Sequence, residues 1–255
     1  MLIPIKDYNP TRRPAVLTIT IIIINVLIFF YQSYFAAATD QEGRRFLSEN
    51  RLEYYIANYA MVPAEIPSME NKPVLVDIDP RTNQHLYYQG REIFPLLALI
   101  TSIFMHGSLL HLAGNMLFLW IFGNNIEDYL GRMRFLIFYF IAGIGASLVH
   151  VLFNLGSHQP VIGASGAVSG IMGAYLILYP FARVRTMVFF LLITFIDIPA
   201  FVFLVIWFLF QLLFAGAQTG IAWLAHVGGF IIGILLIKFM QRRPNPRKPF
   251  IEIVQ

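Results

Sequence analysis

Apolar residues in this chain come in long unbroken runs, not in the alternation of a half-buried sheet or the one-sided stripe of a soluble helix. A membrane-crossing helix needs about 20 such residues to pass ~30 Å of hydrocarbon. Six runs approach that length: about Ala15–Phe35, Gly107–Gly123, Met133–Phe153, Ser165–Tyr179, Ile198–Phe214 and Ile221–Met240. Pro180 ends the fourth run, and Pro199 divides the fifth from an apolar lead-in that begins at Met187. Ala36-Ala37-Ala38 would suit signal cleavage, but the first run exceeds the roughly 7–15 residues of a signal core, so it predicts a retained helix. Ile93–Met105 predicts an interfacial helix. Val74–Pro80 and Gln84–Gly90 predict a small hairpin around Arg81-Thr82-Asn83. The pattern as a whole predicts an all-α polytopic membrane protein. An N-terminal segment, 1–14, precedes a six-helix membrane domain, 15–240, with a polar external loop at about 39–92 and a tail at 241–255.

Composition agrees and adds limits. The 255 residues are 58% hydrophobic and 13% charged, far too little charge for a soluble domain of this size. There is no cysteine, which excludes disulfides and thiolate metal sites. Basic residues flank apolar runs and form no stripe with aromatics, so nucleic-acid binding has no support.

Charge placement orients the helices. With six spans, Lys6, Arg12, Arg13, Arg132, Arg134, Arg183, Arg185, Lys238, Arg242, Arg243, Arg247 and Lys248 fall on one side, which is 12 of the 18 basic residues. The other six share the 39–92 loop with nine acidic residues. The positive-inside bias places both termini in the cytoplasm, and the expected location is a cell membrane of bacterial type.

The fourth run is short, about 22 Å at helical rise. With its far end held by Pro180, Arg183 and Arg185, its first residue, Ser165, lies about 8 Å below the outer edge of the hydrocarbon. Residues 154–164 must descend to reach it, which requires backbone buried in protein or lining a wet cavity. The same reckoning puts His226 about 8 Å deep and His111 about 6 Å deep, with Asn115 one turn below His111 on the same face. Small residues Gly166, Gly170, Gly173 and Ala174 on the fourth helix, and Ala222, Gly229 and Gly233 on the sixth, allow close approach.

These residue types suit acyl transfer. A serine attacks a carbonyl when a neutral histidine takes its proton, and the tetrahedral oxyanion needs donors. The N–H groups at the start of the Ser165 helix, the Asn115 amide and a His111 ring N–H are candidates. Asp197 lies on the opposite side, so a Ser165–His226 dyad is expected without an acid. Each residue also has a plainer reading: Ser165 as an N-cap, the glycines as packing, His111 and Asn115 as interhelical hydrogen bonds. His106, His150, Glu127 and Asp128 read as structural or interfacial, and His85 and His158 carry no signal beyond loop polarity. No internal repeat is present to suggest a transporter of paired half-helices. The agreement in depth of four polar groups favours the catalytic reading.

The segments His106-Gly-Ser-Leu-Leu-His111-Leu-Ala-Gly-Asn115, Gly163-Ala-Ser165-Gly166 and Ala225-His226-Val-Gly-Gly229 resemble the rhomboid family of intramembrane serine proteases. Phe122-Gly123 to Gly131 is similar to that family's cytoplasmic loop after the second span. The resemblance implies Ser165 as nucleophile, His226 as general base, and His111, Asn115 and the Ser165 N–H as oxyanion donors. It implies structural roles for His106 and Glu127, no cofactor or metal, and single-pass transmembrane substrates taken from the bilayer. It also makes Trp207 and the fifth helix candidate gate elements. A non-catalytic rhomboid-like protein that binds client helices is the alternative. Oligomeric state is not legible. The chain lacks the family's Trp-Arg pair in the first loop, and Ser169 stands where some members have a tyrosine packed on the histidine. Ser169 shares the Ser165 face and is expected to bond the second nitrogen of His226.

Overall fold

The computed structural model describes residues 2–35, 51–78, 85–88, 91, 93–189, 193–213 and 222–240. The Ala36–Ala38 triplet, the Arg81–Asn83 turn and the 241–255 tail lie outside the described residues. Among the described residues there are eight α-helices: α1 Val16–Phe30, α2 Arg51–Tyr59, α3 Pro95–Thr101, α4 Leu109–Leu130, α5 Arg132–Leu152, α6 Ser165–Leu178, α7 Ala200–Leu213 and α8 Trp223–Met240. Among the described residues, Val16–Ser33, α4, α5 and α8 are long and apolar enough to cross a membrane, and α6, α7 and Pro95–Phe104 are shorter apolar helices. The protein is therefore a mostly helical membrane protein.

It is not all-α. Strand β1, Leu2–Asp7, pairs antiparallel with β4, Arg183–Phe189, which pairs with β5, Ile193–Pro199. The apolar lead-in expected before the fifth helix is thus a β-hairpin, and the helix starts at Ala200. Its reason is partly local: Ile193, Thr194, Ile196 and Ile198 are β-branched, and Val184 and Thr186 alternate inward between exposed Arg183 and Arg185. The rest is non-local, because β1 lies some 180 residues away in sequence. The expected external hairpin forms as β2, Val74–Ile78, and β3, His85–Tyr88.

Helix α4 also departs from expectation. It continues past Gly123 to Leu130, so the stretch expected as a cytoplasmic loop is two more helical turns. The family resemblance implied a loop; tertiary partners for the polar side chains make it helix. Asn125 donates to the Asp7 carboxylate at 2.7 Å, and Asp128 accepts from the Arg12 N–H at 3.1 Å. Glu127, 3% exposed, accepts from the Leu17 N–H at 2.9 Å and from the Thr18 N–H and hydroxyl at 2.8 Å. It therefore caps α1, whose first turn has no cap of its own, and sets its charge on the positive end of the helix dipole. Glu127→Ala strands those buried donors and is expected to cost about 1–3 kcal/mol. Glu127→Gln, which keeps an acceptor, should cost less; thermal unfolding of both variants checks the order.

Helices α6 and α8 cross at backbone contact. A Cβ on Gly229 would collide with the Gly166 carbonyl, one on Gly233 with Gly170, and one on Gly173 with the Phe230 carbonyl. On the other side of α6, Ala142 and Ala146 of α5 fill the space over Gly170 and Gly166. Buried aromatics Phe122, Phe135, Phe138, Tyr139, Tyr175 and Phe203 form the centre of the bundle. Tyr175 donates to Asp7 at 2.8 Å, tying β1 beneath α6. Burial raises the Asp7 pKa, and the Tyr175 and Asn125 hydrogen bonds pull it back.

Candidate active site

The segment 154–164 pairs polar backbone groups with residues 61–75. Met61 and Val161 exchange hydrogen bonds at 3.1 and 2.8 Å, the Ala64 N–H donates to Ser157 O at 3.0 Å, and the Leu75 N–H donates to His158 O at 2.9 Å. The His158 ring nitrogen bonds Pro73 O at 2.7 Å, a contact its loop polarity did not reveal. The 61–75 stretch is itself fixed by a buried ion pair, Arg91 to Glu65 at 3.3 Å, with Arg91 also donating to Ala60 O at 2.7 Å. Burial raises the Glu65 pKa and lowers that of Arg91, outweighing their mutual attraction in both cases. At its lower end the segment turns through Gly163, whose N–H donates to Ser102 O at 2.8 Å. Gly163 has φ +120°, a conformation side chains avoid, and a Cβ there would press into His111 Nε2 at 2.8 Å. Glycine is needed twice over: for the turn and for the space His111 occupies.

Ser165 is the first residue of α6. Ala164 precedes it as the flanking residue, and no side chain caps the helix, so the N-cap reading of Ser165 does not hold. Its hydroxyl instead lies 2.8 Å from His226 Nε2, on the first turn of α8. Both residues are half-buried, on the wall of a cavity of about 1100 Å³. His111 and Asn115 of α4 line the same cavity, so all four polar groups expected at one level meet there. Asn115 Nδ2 is buried and has no hydrogen-bond partner among the described residues, which leaves a spare donor. His111 Nε2 and Asn115 Nδ2 both face the open side of Gly163. His106 lies outside the cavity lining, fully buried, with its ring edge-on to His111 at 5.1 Å, where it supports that ring. Among the described residues no three His, Asp or Glu side chains gather as a metal site.

Ser169 does not reach His226. Its hydroxyl donates to the Ser165 carbonyl at 2.6 Å, one turn back on its own helix, the local bond a short serine side chain makes most easily. The second nitrogen of His226 is met from α7: Nδ1 lies 2.8 Å from Gln211 Oε1. The sequence reading passed over Gln211. Its signal was a lone amide in a strongly apolar helix, one turn after Trp207, whose ring centroid is 6.3 Å from that of His226. Trp207 also stacks on Phe230 at 6.0 Å. The arrangement provides a hydroxyl in contact with a histidine whose far nitrogen is held, beside unpaired donors in a large cavity.

Comparison with known proteins identifies the family. The model of the Rhomboid domain matches residues 94–243, a stretch that includes every residue of the cavity's polar cluster. Rhomboid protein 1, mitochondrial, of Saccharomyces cerevisiae is 31% identical over 161 residues, 60% of this chain and 44% of that protein. RHOMBOID-like protein 5 of Arabidopsis thaliana is 42% identical over 78 residues, 31% of this chain and 25% of that protein. Rhomboid protease GluP of Bacillus subtilis is 44% identical over 78 residues, 31% of this chain and 15% of that protein. The chain spans less than half the length of these curated relatives. Because the domain match covers more than half of the chain and contains the whole cluster, this protein belongs to the rhomboid family.

Proposed function

We propose that the protein is an intramembrane serine endopeptidase acting through a Ser165–His226 dyad on transmembrane protein substrates. The observation that carries this reading is the 2.8 Å contact between Ser165 Oγ and His226 Nε2 inside a polar-lined cavity. Ser165 Oγ attacks the scissile carbonyl while its proton passes to His226 Nε2. The oxyanion is received by the Asn115 amide, the His111 ring N–H and the free N–H at the start of α6. Collapse releases the amine with the proton from His226, and water then repeats the sequence on the acyl-enzyme. Ser108, Asn154, Ser157 and Gln159 line the same cavity and give water a polar route to the serine.

In this reading α1, α4, α5, α6, α7 and α8 are the six spans. Ser165, at the head of a 14-residue helix of about 21 Å, then sits below the outer surface. The basic side of the bundle faces the cytoplasm of a bacterial-type cell. The test is labelling of the purified, membrane-reconstituted protein with a fluorophosphonate serine probe. Wild type is expected to label, and Ser165→Ala is expected to lose all labelling. Cleavage of a transmembrane substrate by Ser165→Ala at the wild-type rate would overturn the mechanism. An unlabelled, inactive wild type would leave a rhomboid that binds client helices without cutting them.

A further inference from the structure

We propose that Gln211 is a positioning residue that selects the working tautomer of His226. The inference rests on the dyad reading and extends it to a residue on α7.

A neutral imidazole has one N–H donor and one bare nitrogen acceptor. To take the Ser165 proton, Nε2 must be the bare one, so the ring proton must sit on Nδ1. Nδ1–H then needs an acceptor, and Gln211 Oε1 lies 2.8 Å from it. A carbonyl oxygen can only accept, so this contact admits the Nδ1–H form and disfavours the other. The reversed amide would offer N–H to Nδ1, force the proton onto Nε2, and leave Ser165 facing a donor. The orientation of one amide therefore decides whether His226 can act as a base. When His226 becomes imidazolium, the Oε1 dipole still faces Nδ1–H and stabilises the charge without taking the proton.

An amide suits this place better than a carboxylate. Exposed Leu209, Phe210, Leu212 and Leu213 surround Gln211 on α7, as expected of a lipid-facing helix. A charged side chain there carries a cost that the amide avoids. Trp207, one turn earlier, packs against the same imidazole, so α7 holds the ring by its face as well as by its nitrogen. With Ser169 turned to the Ser165 carbonyl, the support for His226 comes from α7 and not from the nucleophile's own helix.

The experiment is nitrogen-15 NMR of histidine-labelled full-length protein in lipid nanodiscs, with His226 assigned by its loss in His226→Ala. Wild-type His226 is expected as the Nδ1–H tautomer. Gln211→Met, close in shape but without the carbonyl, is expected to shift it toward Nε2–H. The same variant should lower kcat about 10- to 100-fold, the scale of an orienting bond on a functional histidine, with KM unchanged. Gln211→Glu restores an acceptor and should return the Nδ1–H form. A wild-type His226 found as Nε2–H overturns the proposal without any variant. So does Gln211→Met with unchanged tautomer and kcat. Failure of the dyad reading looks different: wild type neither labels nor cleaves, while the tautomer of His226 still follows residue 211. Should Gln211→Met fail to fold, the wild-type and Gln211→Glu spectra decide alone.

Discussion

His226→Ala is expected to lower cleavage of a reconstituted transmembrane substrate by roughly 10⁴-fold or more, nearly all of it in kcat. Serine is a weak nucleophile at neutral pH until its proton has somewhere to go. His226 Nε2 is the acceptor 2.8 Å away, and among the described residues no carboxylate lines the cavity to replace it. Asn115→Ala removes one oxyanion donor and leaves the proton route intact, so it should cost less, about 10²- to 10³-fold. Unfolding curves of both variants should stay near that of wild type, because both side chains line the cavity. Steady-state kinetics in proteoliposomes give the comparison. His226→Ala with kcat within about tenfold of wild type would remove His226 from the chemistry.

Gly233→Ala is expected to be the most damaging single methyl in the membrane domain. A Cβ there would overlap the backbone of Gly170, where the carbonyl oxygen, carbonyl carbon and Cα all lie too close for any real contact. A flexible side chain could move aside; a helix backbone cannot, so α6 and α8 must separate. That breaks the close packing that stands in for the hydrophobic effect between helices in lipid. It also carries His226 away from Ser165, since the same crossing sets their distance. The expected loss is about 3 kcal/mol or more, with labelling of Ser165 lost in parallel. Gly114→Ala is the control. Nothing lies within 4 Å of its Cβ position, and alanine is the better helix former, so stability should hold within about 1 kcal/mol. Equal stability of Gly233→Ala and wild type in a denaturant titration would refute the backbone-contact account.

Legibility followed the range of the physics. The apolar runs predicted helices at the observed places to within a few residues, because a long apolar segment in lipid must pair its own backbone. The ends were less legible. The second apolar run stops at Gly123 and the family resemblance implied a loop beyond it, yet α4 runs on to Leu130 because Asp7, Arg12 and the first turn of α1 receive Asn125, Asp128 and Glu127. The β1–β4–β5 sheet was hidden for the same reason: half of its pairing comes from the other end of the chain.

At the site, the sequence by itself determined the residue types and their places along the helices. Ser165 heads a helix of only 14 residues, His226 and His111 sit near the starts of theirs, and Asn115 follows His111 by one turn. Helical rise converts residue numbers into positions along each axis, so the place of each group on its own helix follows from counting. Rotation about each helix axis does not. That is set by which faces pack, and only the tertiary structure turned Ser165 toward His226, Ser169 back onto its own helix, and Gln211 of α7 onto the far side of the imidazole. A hydrogen bond of 2.8 Å depends on side-chain direction to a fraction of an ångström. The glycine contacts between α6 and α8, made across some 60 residues of sequence, supply that precision.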